Sequence, residues 1–166
     1  SKKIALLGSH AVGKTSLISQ FIYQKFPESY LTTIGLKVDK KTIEIDGYRV
    51  DLVIWDIAGQ ENASNVPHYY LKGCSGIIYV VDLTRPSTYS TLESQLVMLR
   101  GMVGDAEIEI AANKKDLLNE EELEKALEEM PIQPTIVTSA KLGENVEEMF
   151  ITLAKQLILK HESQES

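Results

Sequence analysis

Eight residues near the start, Gly8-Ser9-His10-Ala11-Val12-Gly13-Lys14-Thr15, limit what this chain can fold into more than any other stretch. The apolar run Ile4-Ala5-Leu6-Leu7 stops at Gly8, and Leu17, Ile18, Phe21 and Ile22 share one helical face between Lys14 and Tyr23. The spacing predicts a buried strand, a glycine turn and then a helix. Glycine lets the backbone curl until several N–H groups point inward, and the helix brings its positive end to the same spot. Such a cradle suits phosphate oxygens. Lys14 adds a cation for the outer phosphates, and the Thr15 hydroxyl suits a hard ion such as Mg²⁺. His10, Ala11, Val12, Gly13 and Ser16 belong to the same cradle. The plain alternative is a glycine-rich strand-to-helix turn.

Further along, residues 24–35 lack periodicity and hold Pro27 and Gly35, which reads as a loop. Ile43 and Ile45 alternate with polar residues, Asp46-Gly47 signals a hairpin, and Val50, Leu52 and Ile54 alternate on the return strand to Asp56. A loop from Ile57 to about Val66 and a short helix to Lys72 follow. Gly76 to Val81 predicts a buried strand, Ser87 to Met102 a helix and Ile108 to Ala112 another strand. Asn119 and Glu122 form a capping-box pattern that opens an acidic helix stopping before Pro131, and Ile136-Val137 is the last strand. Asn145 and Glu148 repeat the pattern ahead of a helix carrying Val146, Met149, Phe150, Leu153, Ala154 and Leu157. Strands alternating with helices, with one hairpin inserted, imply an α/β fold: a mostly parallel sheet with one antiparallel strand beside it.

Two further boxes sit where predicted strands end. In Asp56-Ile-Ala-Gly59-Gln60, the carboxylate suits magnesium, directly or through water, Gly59 lets an N–H approach a terminal phosphate, and Gln60 suits orienting a water. Taken alone this box is an ordinary turn. In Asn113-Lys114-Lys115-Asp116, a fixed carboxylate can accept two hydrogen bonds from guanine, N1–H and the exocyclic amine. Adenine lacks that pair, so a dry site rejects it by ~10⁴. Lys114 can lay its stem along the base while its head stays wet. Ser139-Ala140-Lys141 can complete a base pocket with a backbone N–H. Taken alone, both are polar loops.

Bulk properties narrow the classes. The 166 residues, 43% apolar and 25% charged, fit one domain, and the formal net charge of −7 argues against nucleic-acid binding. One cysteine, Cys74, excludes an internal disulfide and fits a reducing cytosol, and a packing role suits it better than redox or metal chemistry. No stretch approaches the roughly 20 apolar residues of a membrane span. No signal peptide is visible. The start at Ser1 suggests a trimmed chain. His68 and His161 read as surface residues, and the acidic run from Glu120 to Glu129 as a solvated face.

In order and spacing, these motifs resemble the Ras superfamily of small GTPases from about Lys2 to Lys160. Thr33-Ile34-Gly35, the hairpin and Ile54-Trp55-Asp56-Ile57-Ala58-Gly59-Gln60-Glu61 look most like the Rab branch. The resemblance implies a small G domain over residues 1–160, with a six-stranded sheet, helices on both faces and a frayed tail at 161–166. It implies GTP or GDP as ligand, Mg²⁺ as cofactor and slow hydrolysis of GTP to GDP. Lys14 and Gln60 would be catalytic. Thr15, Thr33 and Asp56 would serve the metal, Thr33 as the first-switch threonine whose N–H also meets the γ-phosphate. Tyr30 would close over the nucleotide and Phe26 would stack edge-on against guanine, unless both are loop aromatics packed on the core. Trp55 would join a partner-facing patch, unless it points inward.

In that family the protein chiefly positions groups, and an arginine from a partner adds ~10³–10⁵ in rate. Arg49, Arg85 and Arg100 are the only arginines here, and none lies in a switch-like segment. Slow intrinsic turnover, open to external acceleration, is therefore expected. An exchange factor, an activating protein and effectors would bind residues 25–38 and 57–72 of a monomer, and loss of the γ-phosphate would release both loops. A cytoplasmic location is expected, with membrane association if a lipidated tail exists, since His161 to Ser166 holds no cysteine.

Four positions depart from the family pattern. His10 places an imidazole in the phosphate loop, either crowding Gln60 and an incoming arginine or facing solvent. Val38 replaces a phenylalanine, and Asn62 with Ala63 replaces bulkier residues. A binding module with negligible hydrolysis is the alternative that His10 motivates. An adenosine-nucleotide kinase or ATPase is a third class, opposed by the hairpin and the Asn113-to-Asp116 box.

Overall fold

The computed structural model describes residues 1–28, 33, 35–60 and 63–165. Its elements are β1 (Lys2–Leu7), α1 (Lys14–Tyr23), β2 (Leu36–Ile45), β3 (Tyr48–Ile57), α2 (His68–Leu71), β4 (Gly76–Asp82), α3 (Leu92–Val103), β5 (Glu107–Asn113), α4 (Glu120–Glu129), β6 (Ile136–Val137) and α5 (Val146–Glu165). One six-stranded sheet runs in the order β2-β3-β1-β4-β5-β6. Five strands are parallel, and β2 alone is antiparallel, paired with β3 from Leu36↔Ile57 to Ile45↔Tyr48. The expected six-stranded α/β sheet with one hairpin strand is what forms.

Two-residue periodicity splits the core between the faces of the sheet. Ile4 and Leu6 of β1, with Ile78 and Val80 of β4, pack against Leu17 and Phe21 of α1 and Met149, Phe150 and Leu153 of α5. The Phe21 and Phe150 rings stack with centroids 4.1 Å apart. Ala5, Leu7, Ile77, Tyr79 and Val81 face the other way, onto Leu71, Leu92, Leu99, Ala126 and Met130. Helices therefore cover both faces, and the central strand β4 is buried on both sides, which is why it reads as continuous apolar sequence.

Local signals place most boundaries. Asp46 and Gly47 both take positive φ (49° and 82°), the pair a tight right-twisted hairpin requires. At α4 the Asn119 side chain accepts from the Glu122 N–H at 2.8 Å, and Glu122 accepts from the Asn119 N–H at 3.1 Å. Asn145, φ 60°, gives its amide instead to the Val137 carbonyl at 2.9 Å. The helix expected from Ser87 begins only at Leu92. A separate 3₁₀ turn over Pro86–Thr88 precedes it, because the Thr88 hydroxyl folds back to accept the Asp82 N–H and to contact the Arg85 carbonyl. The segment 161–165, expected to fray, continues α5 as exposed helix.

Candidate functional site

All five parallel strands end on one side of the sheet, where ligands of open α/β sheets bind. The phosphate loop follows β1, Asp56 closes β3 but for one residue, Asp82 ends β4, Asn113 ends β5 and Ser139 follows β6. Between them lies a cavity of about 370 Å³. Of the residues singled out from the sequence, His10, Ala11, Gly13, Lys14, Thr15, Ser16, Phe26, Thr33, Gly59, Asn113, Lys114, Asp116, Ala140 and Lys141 line it. Pro27, Glu28 and Leu117 line it too. Tyr30 lies outside the described residues, as do Ile34, Glu61 and Asn62.

The loop is built around two glycines. Gly8 has φ 143°, and a Cβ there would meet the Val80 carbonyl oxygen at 2.3 Å. Gly13 has φ 105°, and a Cβ there would meet Asn113 Nδ2 at 2.2 Å. The Lys14 ammonium, 6% exposed, donates to the Gly8 and Ser9 carbonyls at 2.9 Å each. Burial pushes its pKa down to about 8, Asp56 opposes that fall, and Arg85 adds to it. A buried cation whose hydrogen bonds, among the described residues, go to carbonyl dipoles is a strong attractor for an anion.

Beside it, the Thr15 hydroxyl donates to Asp56 Oδ2 at 2.6 Å and stands 2.7 Å from the Thr33 hydroxyl. Asp56 Oδ1 is buried without a hydrogen-bond partner. Burial raises the Asp56 pKa, although the Thr15 hydroxyl and Lys14 oppose this. Two hydroxyls and an orphaned carboxylate oxygen form the all-oxygen donor set of a hard divalent ion, so the residues fit Mg²⁺.

At the other end, Asp116 Oδ1 accepts from the Ser139 hydroxyl at 2.8 Å, and Ser139 Oγ accepts from the Leu142 N–H. Ser139 is fully buried behind Asp116, orienting it, and does not line the cavity. Asn113 is a brace: Nδ2 donates to the Val12 carbonyl at 3.0 Å, and Oδ1 accepts from the Thr138 hydroxyl and the Ala140 N–H. The Ala140 N–H is thereby engaged by the protein. Val12 is itself core, reaching the site through that carbonyl.

The Lys114 head is tethered where the sequence suggested a solvated one. Its Nζ donates to the Ala11 carbonyl at 2.7 Å and pairs with Asp82 at 2.9 Å. Gly59 presses on the phosphate loop, where a Cβ would lie 2.5 Å from the His10 nitrogen. Gln60 donates its backbone N–H to the Gly8 carbonyl at 3.2 Å and borders a separate small void with Leu7, Ala58, Ala63, Val66 and Tyr79. His10 is exposed at the cavity rim. Trp55 is half-buried, with the Lys3 ammonium 3.5 Å from its ring centroid and Tyr70 tilted against it, while Val38, its cross-strand neighbour, is exposed.

Asp82 and Arg85 were missed from the sequence. Asp82 Oδ1 accepts from the Thr84 N–H (2.8 Å) and hydroxyl (2.6 Å), and Oδ2 accepts from Arg85 Nε at 3.0 Å as well as from Lys114. Burial would raise its pKa, but the Thr84 and Lys114 contacts outweigh that and hold it below the usual carboxylate value. Arg85 also donates to the His10 carbonyl, so an arginine outside the switch-like segments still reaches the phosphate loop. The signal was available: an acid ending a wholly apolar strand at the ligand-binding side of such a sheet.

A model of the Ras family matches residues 3–159. The chain is 36% identical to the Ras-related protein SEC4 of Saccharomyces cerevisiae over 97% of its length and 77% of that protein's. It is 34% identical to rat Ras-related protein Rab-13, over 95% of the chain and 80% of the relative, and 36% identical to bovine Ras-related protein Rab-4A, over 98% and 77%. With a buried lysine in a glycine-built loop at one end of its cavity and a half-buried carboxylate braced by Ser139 at the other, the chain belongs to the Ras family and is a Rab-like small GTPase.

Proposed function

We propose that the chain switches partners in membrane trafficking by binding GTP with Mg²⁺ and hydrolysing it to GDP in the 370 Å³ cavity. The observation that carries this reading is the pairing of Lys14 and Asp116 on one cavity, each held by buried partners. The loop N–H groups and Lys14 bind the phosphates, and Asp116, braced by Ser139, selects guanine. Lys114 spans the nucleotide site from its tether at Asp82. Phe26, on the cavity lining, stacks edge-on against guanine. Thr15, Thr33 and Asp56 would hold Mg²⁺, which would supply charge neutralisation for the phosphates.

Hydrolysis needs a water in line with the terminal phosphorus. Gln60 is the side chain for orienting it, and its present station beside Ala63 and Val66 means that the segment from Gly59 must turn when the γ-phosphate arrives. Gly59, free of a Cβ beside His10, is the residue that permits this approach. Partners read residues 25–38 and 57–72, with Val38, Trp55 and Tyr70 as the apolar part of that surface.

Denaturing the purified chain and separating what it releases tests the ligand: GDP or GTP is expected, and an adenine nucleotide overturns the assignment. Single-turnover hydrolysis of loaded GTP tests the chemistry. Phosphate release by the parent chain, with loss in Gln60→Leu, is expected. Equal rates in both would remove Gln60 from the mechanism.

A further inference from the structure

Arg85 stands three residues beyond the end of β4 and joins two things the fold keeps apart. Its Nε donates to Asp82 Oδ2 at 3.0 Å, and its Nη2 donates to the His10 carbonyl on the phosphate loop. Asp82 does not need it. Oδ1 already accepts twice from Thr84, and Oδ2 accepts from Lys114 at 2.9 Å. One carboxylate therefore faces two cations, and the trio carries one net positive charge beside the loop of a chain whose formal charge is −7. Buried Asp82 anchors the arginine, whose side chain is 41% exposed. Its charge also acts at Lys14, lowering that ammonium's pKa alongside burial. A guanidinium has five N–H donors in a planar fork, and the two contacts to Asp82 and His10 leave others for phosphate oxygens.

We propose that Arg85 is a catalytic residue supplied by the chain itself: with GTP bound, its guanidinium turns about the Asp82 anchor onto the terminal phosphate at the His10 rim and stabilises the charge that develops during hydrolysis. The inference rests on the GTPase assignment of this site. In the step, a water oxygen bonds to the γ-phosphorus while the bond from that phosphorus to the β,γ-bridging oxygen breaks. GDP leaves with the electron pair; one proton of the water stays on the incoming oxygen and the other passes to another oxygen of the released phosphate. No oxidant or further reactant enters. An exposed arginine shared with Asp82 contributes less than one delivered dry by a partner, so the effect belongs to intrinsic turnover.

Single-turnover hydrolysis and the affinities for GTP and GDP are measured on the Mg²⁺-loaded chain and on Arg85→Ala, Arg85→Lys and Arg85→Gln. Arg85→Gln keeps a donor for the His10 carbonyl without the charge, so it separates chemistry from loop support. Arg85→Ala and Arg85→Gln are both expected to slow hydrolysis about tenfold while GDP affinity stays within about twofold, less than the loss from a fully buried transition-state donor. Arg85→Lys retains part of the rate. Guanidinium ion at low millimolar concentration restores part of the rate to Arg85→Ala and leaves the parent unchanged. Parent-like hydrolysis in Arg85→Ala overturns the proposal. So does an equal fall in GTP and GDP affinity with the bound-state rate unchanged, which marks Arg85 as a brace. A parent that keeps GTP intact over hours overturns the hydrolytic reading itself, and this proposal with it.

Discussion

At the scale of single residues, the base end of the cavity is decided by where hydrogen bonds are already spent. The Ser139 hydroxyl, fully buried, serves Asp116 and Leu142, and Asn113 serves Val12, Thr138 and Ala140. Asp116 is thus the side chain of this group that points its acceptors at a ligand from within the lining. Asp116→Ala is expected to lose GTP-over-ATP selection by on the order of 10⁴, because selection rests on leaving a polar site unpaired. Competition of ATP against bound fluorescent GTP measures it, and unchanged competition would move guanine recognition elsewhere. Gly59→Ala belongs to the same scale. Its Cβ would meet His10 backbone atoms at 2.5 and 2.6 Å, neither of which is a flexible side-chain end. It should slow GTP hydrolysis more than it weakens GDP binding, as titration of each nucleotide and a single-turnover assay would reveal.

Among the elements, α4 is the most self-sufficient. Its box of reciprocal bonds closes two donors at the N-terminus, and Glu120, Glu121 and Glu122 sit at the positive end of the helix dipole. Asn119→Ala should cost about 1 kcal/mol. Urea unfolding gives that figure, and hydrogen exchange should show the loss concentrated in the first turn of α4. This helix was legible because its cap and its stop before Pro131 agree. So was α1, read from Lys14 to Tyr23 as it stands. The start of α3 was not legible, because the Ser87 region keeps helical apolar spacing while Thr88 spends its hydroxyl on Asp82 and the Arg85 carbonyl. That is a tertiary choice with no local mark. The same holds for the site. The phosphate loop and Asp116 announce themselves by residue type and spacing. The tether of Lys114, the brace of Asn113 and the reach of Arg85 depend on which strand ends lie side by side, and that follows from the sheet order.

For the molecule as a whole, one acid outside the cavity adds its own response to pH. Glu109 on β5 is 3% exposed, and its Oε1 has no hydrogen-bond partner. Burial, aided by the neighbouring charge of Glu107, pushes its pKa up to about 7. The folded pKa lies above the unfolded one, so folding takes up a proton between roughly pH 4.5 and 7. This residue's contribution is therefore fully present at the acid end and is lost as pH rises through about 7. Glu109→Gln should raise the unfolding temperature of the GDP-bound chain by a few degrees at pH 8 and by less at pH 5.5. A uniform shift at both values would mean that Glu109 carries no unmet charge.

The outer edge of the sheet has a consequence for life in a crowded solution. β2 spans Leu36–Ile45, its inner side satisfied by β3 and its outer backbone unmatched by any strand among the described residues. At the opposite margin β6 is only two residues long, too short to template anything. Ten residues of open ladder would ordinarily invite a second copy to dock and a third upon that, the beginning of a fibre. Lys37 and Lys40 oppose that sequence of events: they stand exposed, paired with Asp39 at 3.6 Å and Asp51 at 3.4 Å, and a docking strand would have to strip water from those charges. Exchanging Lys37 and Lys40 for apolar residues should turn a dispersed protein into one that self-associates along this margin, as light scattering would show.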